Sequence, residues 1–506
     1  MPTPPTVEID GAPLPVATIA AAAAGPVLVR LTARARSAAQ ASSALGDREA
    51  GRRELYGRST GVGANRSVGV TGDPAGHAAA LVRSHATAAG PLRSRERVRA
   101  MLLVRLNQLA AGGSGVRPAV LDGVAALLDG DDLPEVREWG SVGTGDLSAL
   151  AAAAGALISG RGAPGRPGHR APVPFGAADA LGFLSSNAAT LGDAALALVA
   201  AGESAAAAPA VAVLTLAAVG GNLEAFSPAV ERATPFPGAV AVCRTVRALA
   251  AGAAAPARIQ DPFALRTLPQ VHGPFLDALQ LAGLVVERMS CAPAENPVLI
   301  AGGSADEAGG VAHHGAFHAA YLSTALSAVT LTAAQSARSS QARLALLCEP
   351  AFTGLPPFLS DGTAGASGVM ITEYVAASAL AEVTAAATPP GLHTAVLSRG
   401  VEEDASFASQ AARQVAAADA GYRGVLACEL VAAVRALRAG AGTGGSRSGP
   451  VGELLRLCAD LPDDRRDRDL SPDLATATAL LPALAAEAAP HLSSVADRAD
   501  GARPGD

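Results

Sequence analysis

A chain of 506 residues, half of them hydrophobic and only 17% charged, holds enough apolar mass for a large buried core. Its net charge of −6, with no basic stripe, argues against nucleic acid as a partner. All 39 basic residues are arginine, which excludes a lysine-bound pyridoxal phosphate and a Walker A phosphate loop.

Aromatic residues make up 3% of the chain, so alanine, leucine and valine must fill the core, and such runs favour helix. The five cysteines are scattered and show no Cys-x-x-Cys spacing, which predicts reduced thiols and no metal site. The start Met1-Pro2-Thr3-Pro4-Pro5 lacks the order of a signal peptide, so the expected location is cytoplasmic. In chain order, a short strand is expected over Thr6–Ile9, then a small helix over Ser37–Leu45. Arg58-Ser59-Thr60-Gly61-Val62-Gly63 is a glycine-rich loop. Helices are predicted over Ala100–Leu109 and Pro118–Leu128, the second opened by a proline whose missing N–H costs nothing there. Gly160–Pro174 is a turn region and Ala178–Ala218 is mostly helix. Its most apolar part, Ala205–Val219, is expected to be a core segment interrupted by Pro209 rather than a membrane span. Further helices are predicted over Val240–Ala251, Pro274–Glu287, Phe317–Leu347, Val369–Ala385 and Ser409–Arg438. Gly440–Pro450 is a glycine/serine linker. Terminal helices over Val451–Leu457 and Pro472–Ala488 precede a tail, Asp497–Asp506, expected to be disordered.

Gly140-Ser141-Val142-Gly143-Thr144-Gly145-Asp146-Leu147 is a tight glycine-rich loop opening an alanine-rich helix. It resembles the loop of the aromatic amino acid ammonia-lyases, the histidine, phenylalanine and tyrosine ammonia-lyases and related aminomutases. That family reads Gly-Ser-Val-Gly-Ala-Ser-Gly-Asp-Leu, and its Ala-Ser-Gly cyclises by itself to the electrophile methylidene-imidazolone. Here the loop is one residue shorter, with Thr144-Gly145 in the Ala-Ser-Gly slot. The resemblance runs in register over roughly residues 50–440. Leu55-Tyr56-Gly57 with the loop after it is similar to the segment whose tyrosine is the family's base. Ser84-His85-Ala86 resembles the selectivity segment of histidine ammonia-lyase. Ser185-Ser186-Asn187-Ala188-Ala189-Thr190 resembles the segment whose asparagine holds the prosthetic oxygen and the substrate amine. Gln260-Asp261-Pro262-Phe263-Ala264-Leu265-Arg266 is the most specific match. It implies that Gln260 and Arg266 meet the substrate, with Arg266 on its carboxylate. Phe263 stands where the family has tyrosine and cannot donate a hydrogen bond. Glu295-Asn296-Pro297, Phe317-His318-Ala319 and Glu402-Glu403-Asp404 resemble three further family segments, which imply roles for Asn296, Phe317 and Glu403. Ala366-Ser367-Gly368 spells the family tripeptide in the wrong place and is read as a decoy.

The resemblance implies a mainly α fold, a long central helical bundle of the ammonia-lyase/fumarase-like type behind a loop-rich N-terminal region. Chain order suggests 1–200 for the region carrying the prosthetic-group loop, 201–439 for the bundle and 440–506 for a linker and terminal helices. It also implies a cytoplasmic homotetramer acting on a small amino acid, histidine-like or otherwise aromatic, away from membranes and nucleic acid, without an external cofactor. Ring formation would involve Gly143, Thr144 and Gly145 beside Asp146. The extra methyl of Thr144 and the lost slack favour an ordinary turn with no ring. Three readings stay open at this point: a lyase or aminomutase with an altered prosthetic group, a ring-less enzyme of specialised metabolism, and a non-catalytic binding homologue.

Overall fold

The computed structural model describes residues 4–160, 171–302, 309–442 and 449–493. Helix dominates, and among the described residues strands occur only in two-stranded pairs, the first being β1 (Thr6–Ile9) parallel to β2 (Leu28–Leu31). The principal helices are α1 (Arg95–Ala110), α2 (Leu147–Ser159), α3 (Ala188–Val219), α4 (Leu268–Met289), α5 (Ala320–Cys348) and α6 (Ala408–Arg438). The chain forms two compact units, Met1–Val199 with Ala282–Leu326 and Pro389–Arg413, and Ala200–Leu281 with Ser327–Thr388 and Gln414–Asp506. It changes unit inside α3, α4, α5 and α6, so a division drawn in chain order follows different lines.

Most expected helices are present, and two run past their apolar stretches behind polar caps. Ser94 accepts the Arg97 N–H at the start of α1, and Thr32 accepts the Ala35 N–H at the start of a helix over Ala33–Ala50. α2 ends on Gly160 in the left-handed conformation, φ 64°. The expected Ala178–Ala218 helix is two helices, Asp179–Leu184 and α3, broken at Ser185-Ser186-Asn187. Parts of the predicted Gly160–Pro174 turn and Gly440–Pro450 linker, and the Asp497–Asp506 tail, lie outside the described residues. α3 is long and apolar enough to cross a membrane, but its apolar side chains are largely buried inside the protein.

In the first unit, α1 is buried on nearly every side and carries Arg105, which is fully enclosed. The Arg105 guanidinium donates to the carbonyls of Phe183 and Gly182 and to Glu295 at 2.6 Å. Gln108, one turn on, accepts the Ser186 hydroxyl at 2.6 Å. One buried helix face therefore fixes the segments that carry Asn187 and Asn296.

In the second unit, Pro209 lies inside α3 instead of interrupting it. A proline has no N–H, so the carbonyl four residues back loses its helical partner. That carbonyl, Ala205, accepts instead from the His272 ring at 2.8 Å. The carbonyl can only accept, so Nε2 carries the proton and Nδ1 accepts from Ser336 at 2.7 Å. Ser336 in turn accepts from Tyr422 at 2.8 Å. Deeper in the same unit the Arg343–Glu429 ion pair is buried at 2.6 Å, with Thr215 and Ser340 completing the carboxylate.

Burial, with a smaller contribution from Arg343, lowers the His272 pKa from 6.5 to about 4. The folded state thus prefers the neutral ring, and the unfolded chain binds the extra proton between those values. Stability is fully present above pH 6.5 and is expected to fall by about 3 kcal/mol as pH drops to 4. Equilibrium denaturation across that range checks this, and His272→Phe should flatten this part of the slope.

Candidate active site

The first unit contains a cavity of about 530 Å³ lined by Tyr56, Thr60, Gly63, Asn296 and Phe317 together with charged residues. Tyr56 sits at the turn before the glycine-rich loop. Its phenol oxygen accepts the Gly63 N–H at 2.7 Å, a bond that favours the phenolate. Burial nevertheless raises the phenol pKa above its ordinary value, and Glu402 adds to the rise. Gly63 has φ 57°, and a Cβ there would come within 2.4 Å of the Ser398 hydroxyl, so glycine is required for the loop to close on the turn at 398.

Tyr56 also donates its backbone N–H to His313 Nε2 at 3.2 Å. The neutral His313 ring then carries its proton on Nδ1, and burial lowers its pKa. His313, Arg66, Glu54 and Glu402 line the cavity; of these only Glu402 lies in a segment singled out by resemblance, which puts the role on Glu403. The adjacent pair His313-His314, two residues before the Ala316-Phe317 segment, was the available signal. Glu403, singled out by resemblance, is exposed, and it is Glu402 that lines the cavity.

The loop before α2 is joined to the neighbourhood of Phe317. Asn187 Oδ1 accepts the Gly145 N–H at 3.1 Å, and its Nδ2 donates to the Phe317 carbonyl at 2.6 Å. Asp146 is fully buried; its carboxylate accepts the Thr190 N–H at 2.7 Å and the Thr190 hydroxyl at 2.9 Å. Burial raises its pKa against those bonds. Gly143 and Gly145 adopt φ of 83° and 112°, and half-buried Thr144 lies between them. The Gly143 carbonyl accepts from Ser406 Oγ at 2.7 Å and from the Ala319 N–H at 3.1 Å. Asn296 accepts the His314 N–H at 3.0 Å.

His85 is not among the residues lining the Tyr56 cavity. Its Nδ1 lies 2.9 Å from the Leu81 carbonyl, at the end of a helix whose next residues, Ala86 to Ala88, line a smaller cavity of about 260 Å³. Gln260 and Arg266 line a third cavity of about 380 Å³, which belongs to the second unit. There the Arg266 guanidinium stacks on the Phe263 ring, 4.4 Å from its centroid, and Arg266 Nε is buried without a hydrogen-bond partner. Phe263 therefore keeps a planar face for the arginine while lacking the hydroxyl of a tyrosine. The decoy Ser367-Gly368 donates its amides to Asp467 at 2.8 and 2.9 Å, at the start of a separate helix. Among the described residues no cluster of side chains could hold a metal ion.

Residues 14–456 match the family model described as aromatic amino acid lyase. The chain is 31% identical to the histidine ammonia-lyase of Streptomyces coelicolor over 98% of its own length and 99% of that protein. It is 34% identical to the histidine ammonia-lyase of Geobacillus kaustophilus, covering 76% of this chain and 79% of the relative. Among solved structures it superimposes on tyrosine aminomutase from Streptomyces globisporus with a TM-score of 0.87, 25% identity and coverage of 97% and 99%. The fold is also that of an ergothioneine-degrading enzyme from Treponema denticola, with a TM-score of 0.85, 21% identity and coverage of 95% and 99%.

A Cβ on Gly143 would lie 2.1 Å from Ser406 Oγ and 2.6 Å from the Ala408 nitrogen, at a φ that side chains rarely adopt. Gly143→Ala is expected to destabilise the protein by about 2–4 kcal/mol, measured by chemical denaturation. Adding Ser406→Ala should recover part of that loss, since only the backbone contact then remains.

Proposed function

The chain belongs to the aromatic amino acid lyase family, and on that premise we propose that it is a carbon–nitrogen lyase that eliminates ammonia from an amino acid, histidine-like or otherwise aromatic. The observation that carries this reading is the half-buried Tyr56 phenol, held by the Gly63 N–H within the same cavity as Asn296 and Phe317. Tyr56 takes the β-proton of the substrate, and the Gly63 N–H stabilises the phenolate before transfer. The polar lining suits a side chain that both donates and accepts. Glu402 accepts, and the Nδ1–H of His313 donates.

The loop residues fit a ring built from Gly143-Thr144-Gly145. The Gly143 carbonyl has two donors, and the Gly145 nitrogen is held by Asn187, which would also hold the ring. Such a group would supply the electrophile that turns the substrate amine into a leaving group. Arg266, contributed by another copy of the chain, clamps the substrate carboxylate through its flat guanidinium, braced on Phe263.

The assembly we propose is a cytoplasmic homotetramer in which different copies complete one another's sites. Large apolar side chains stand exposed on both units, among them Tyr321 at 84%, Phe263 at 67% and Ile259 at 93%. The free cysteines fit a reducing compartment. Four of the five are buried, and burial pushes the thiols of Cys243, Cys348, Cys428 and Cys458 up, to between about 11 and about 12.

Release of ammonia and of the unsaturated acid from a panel of aromatic amino acids, followed by absorbance, tests the reading directly. Turnover is expected with at least one of them. Binding without turnover would favour a non-catalytic homologue, and a different product would favour ring-less chemistry. Tyr56→Phe should lower kcat by about 10²–10⁴-fold while leaving affinity in place. Because burial raises the phenol pKa above its ordinary 10, kcat/KM of the wild type should keep rising through alkaline pH. Arg266→Ala should abolish calorimetric binding of the amino acid, and unchanged affinity would remove it from the site.

A further inference from the structure

The prosthetic-group loop is gripped by a single segment that lies far along the chain. Gln410 Nε2 donates to the Ser141 carbonyl at 3.1 Å, and the Ser409 hydroxyl shares its one proton between that carbonyl at 3.1 Å and Gln410 Oε1 at 2.7 Å. The Phe407 N–H donates to Val142 at 2.7 Å, and Ser406 Oγ to Gly143 at 2.7 Å. Three successive carbonyls are thus held by residues 406–410. Phe407 adopts φ 51° to present these donors, a strained conformation for a non-glycine residue.

Two atoms of the loop carry unusual partners. The Gly143 carbonyl oxygen has a hydroxyl and a backbone N–H directed at it, the arrangement that stabilises negative charge as it develops on oxygen. The Gly145 N–H is paired with an amide oxygen, which draws on its proton. These are the two groups that must react for the loop to close into a five-membered ring. We infer that Ser406 and the Ala319 amide form an oxyanion hole for that closure, so that Gly143-Thr144-Gly145 modifies itself although the loop is one residue short.

The step balances without a redox partner. The Gly145 nitrogen bonds to the Gly143 carbonyl carbon. The Gly143 oxygen departs as water with the protons of the Gly145 and Thr144 amides, leaving a carbon–nitrogen double bond to the Thr144 nitrogen. Thr144 then loses its Cα proton and its hydroxyl as a second water. The product carries an exocyclic carbon–carbon double bond with a methyl group. Ser406 reaches the carbonyl only because residue 143 lacks a side chain, since a Cβ would sit 2.1 Å from its hydroxyl. Sequence reading favours an open turn because slack is lost. The grip of residues 406–410 replaces slack with fixed geometry. The use of the product rests on the lyase reading, but its formation does not.

Intact mass and peptide mapping of the purified full-length chain test this. The wild type is expected to lack the mass of two water molecules within the peptide containing Gly143 to Gly145. Ser406→Ala, shown to be folded by its melting transition, should acquire that deficit about 10²–10³-fold more slowly. Should Ser406→Ala not fold, Ser406→Cys, a weaker donor, should show a partial deficit that grows with time. An unmodified wild-type mass overturns the inference. Ammonia release from the same unmodified sample would leave the lyase reading standing on its own. A deficit in Ser406→Ala, or in Ser406→Cys if only that variant folds, that forms as fast as in the wild type overturns the role of Ser406.

Discussion

Three backbone carbonyls, those of Ser141, Val142 and Gly143, set the terms for this site. A buried carbonyl without a donor is costly, and a tight glycine-rich loop cannot satisfy its own. The protein meets the demand from residues 406–410, and so the turn before α6 must sit against the loop before α2. Asn187 then ties the same loop to the Phe317 carbonyl, and Asp146 ties it to Thr190 at the start of α3. Segments distant in sequence are thereby fixed around one short stretch of backbone.

The supporting structure obeys the same accounting. Arg105 is buried without being wasted: its donors close the carbonyls at the end of the Asp179–Leu184 helix and neutralise Glu295. His272 repairs the carbonyl that Pro209 leaves open in α3. In both places a polar side chain in an alanine-rich interior completes the main chain rather than contacting substrate.

Much of this was legible in the sequence. The helices follow from their apolar runs, and Tyr56, Asn187, Phe317 and the loop follow from motifs that keep their order. What the sequence hid depends on tertiary contact. Arg66 and His313 come to the Tyr56 cavity from two segments with no shared local pattern. Ser406 lies more than two hundred residues from the carbonyl it holds, and nothing in its own neighbourhood marks it. Pro209 reads as a break because the donor that rescues its helix, His272, is on another element. Phe263 could be seen to lack a hydroxyl, but its role as a stacking face for Arg266 required the coordinates.

The contact between Gly143 and Ser406 also constrains how this protein could change over generations. An alanine at 143 collides with a hydroxyl and with the Ala408 backbone, so position 143 is closed to side chains while the turn at 406–408 keeps its shape. The loop and its grip can therefore vary only together: any side chain at 143 requires a reshaped turn at 406–408.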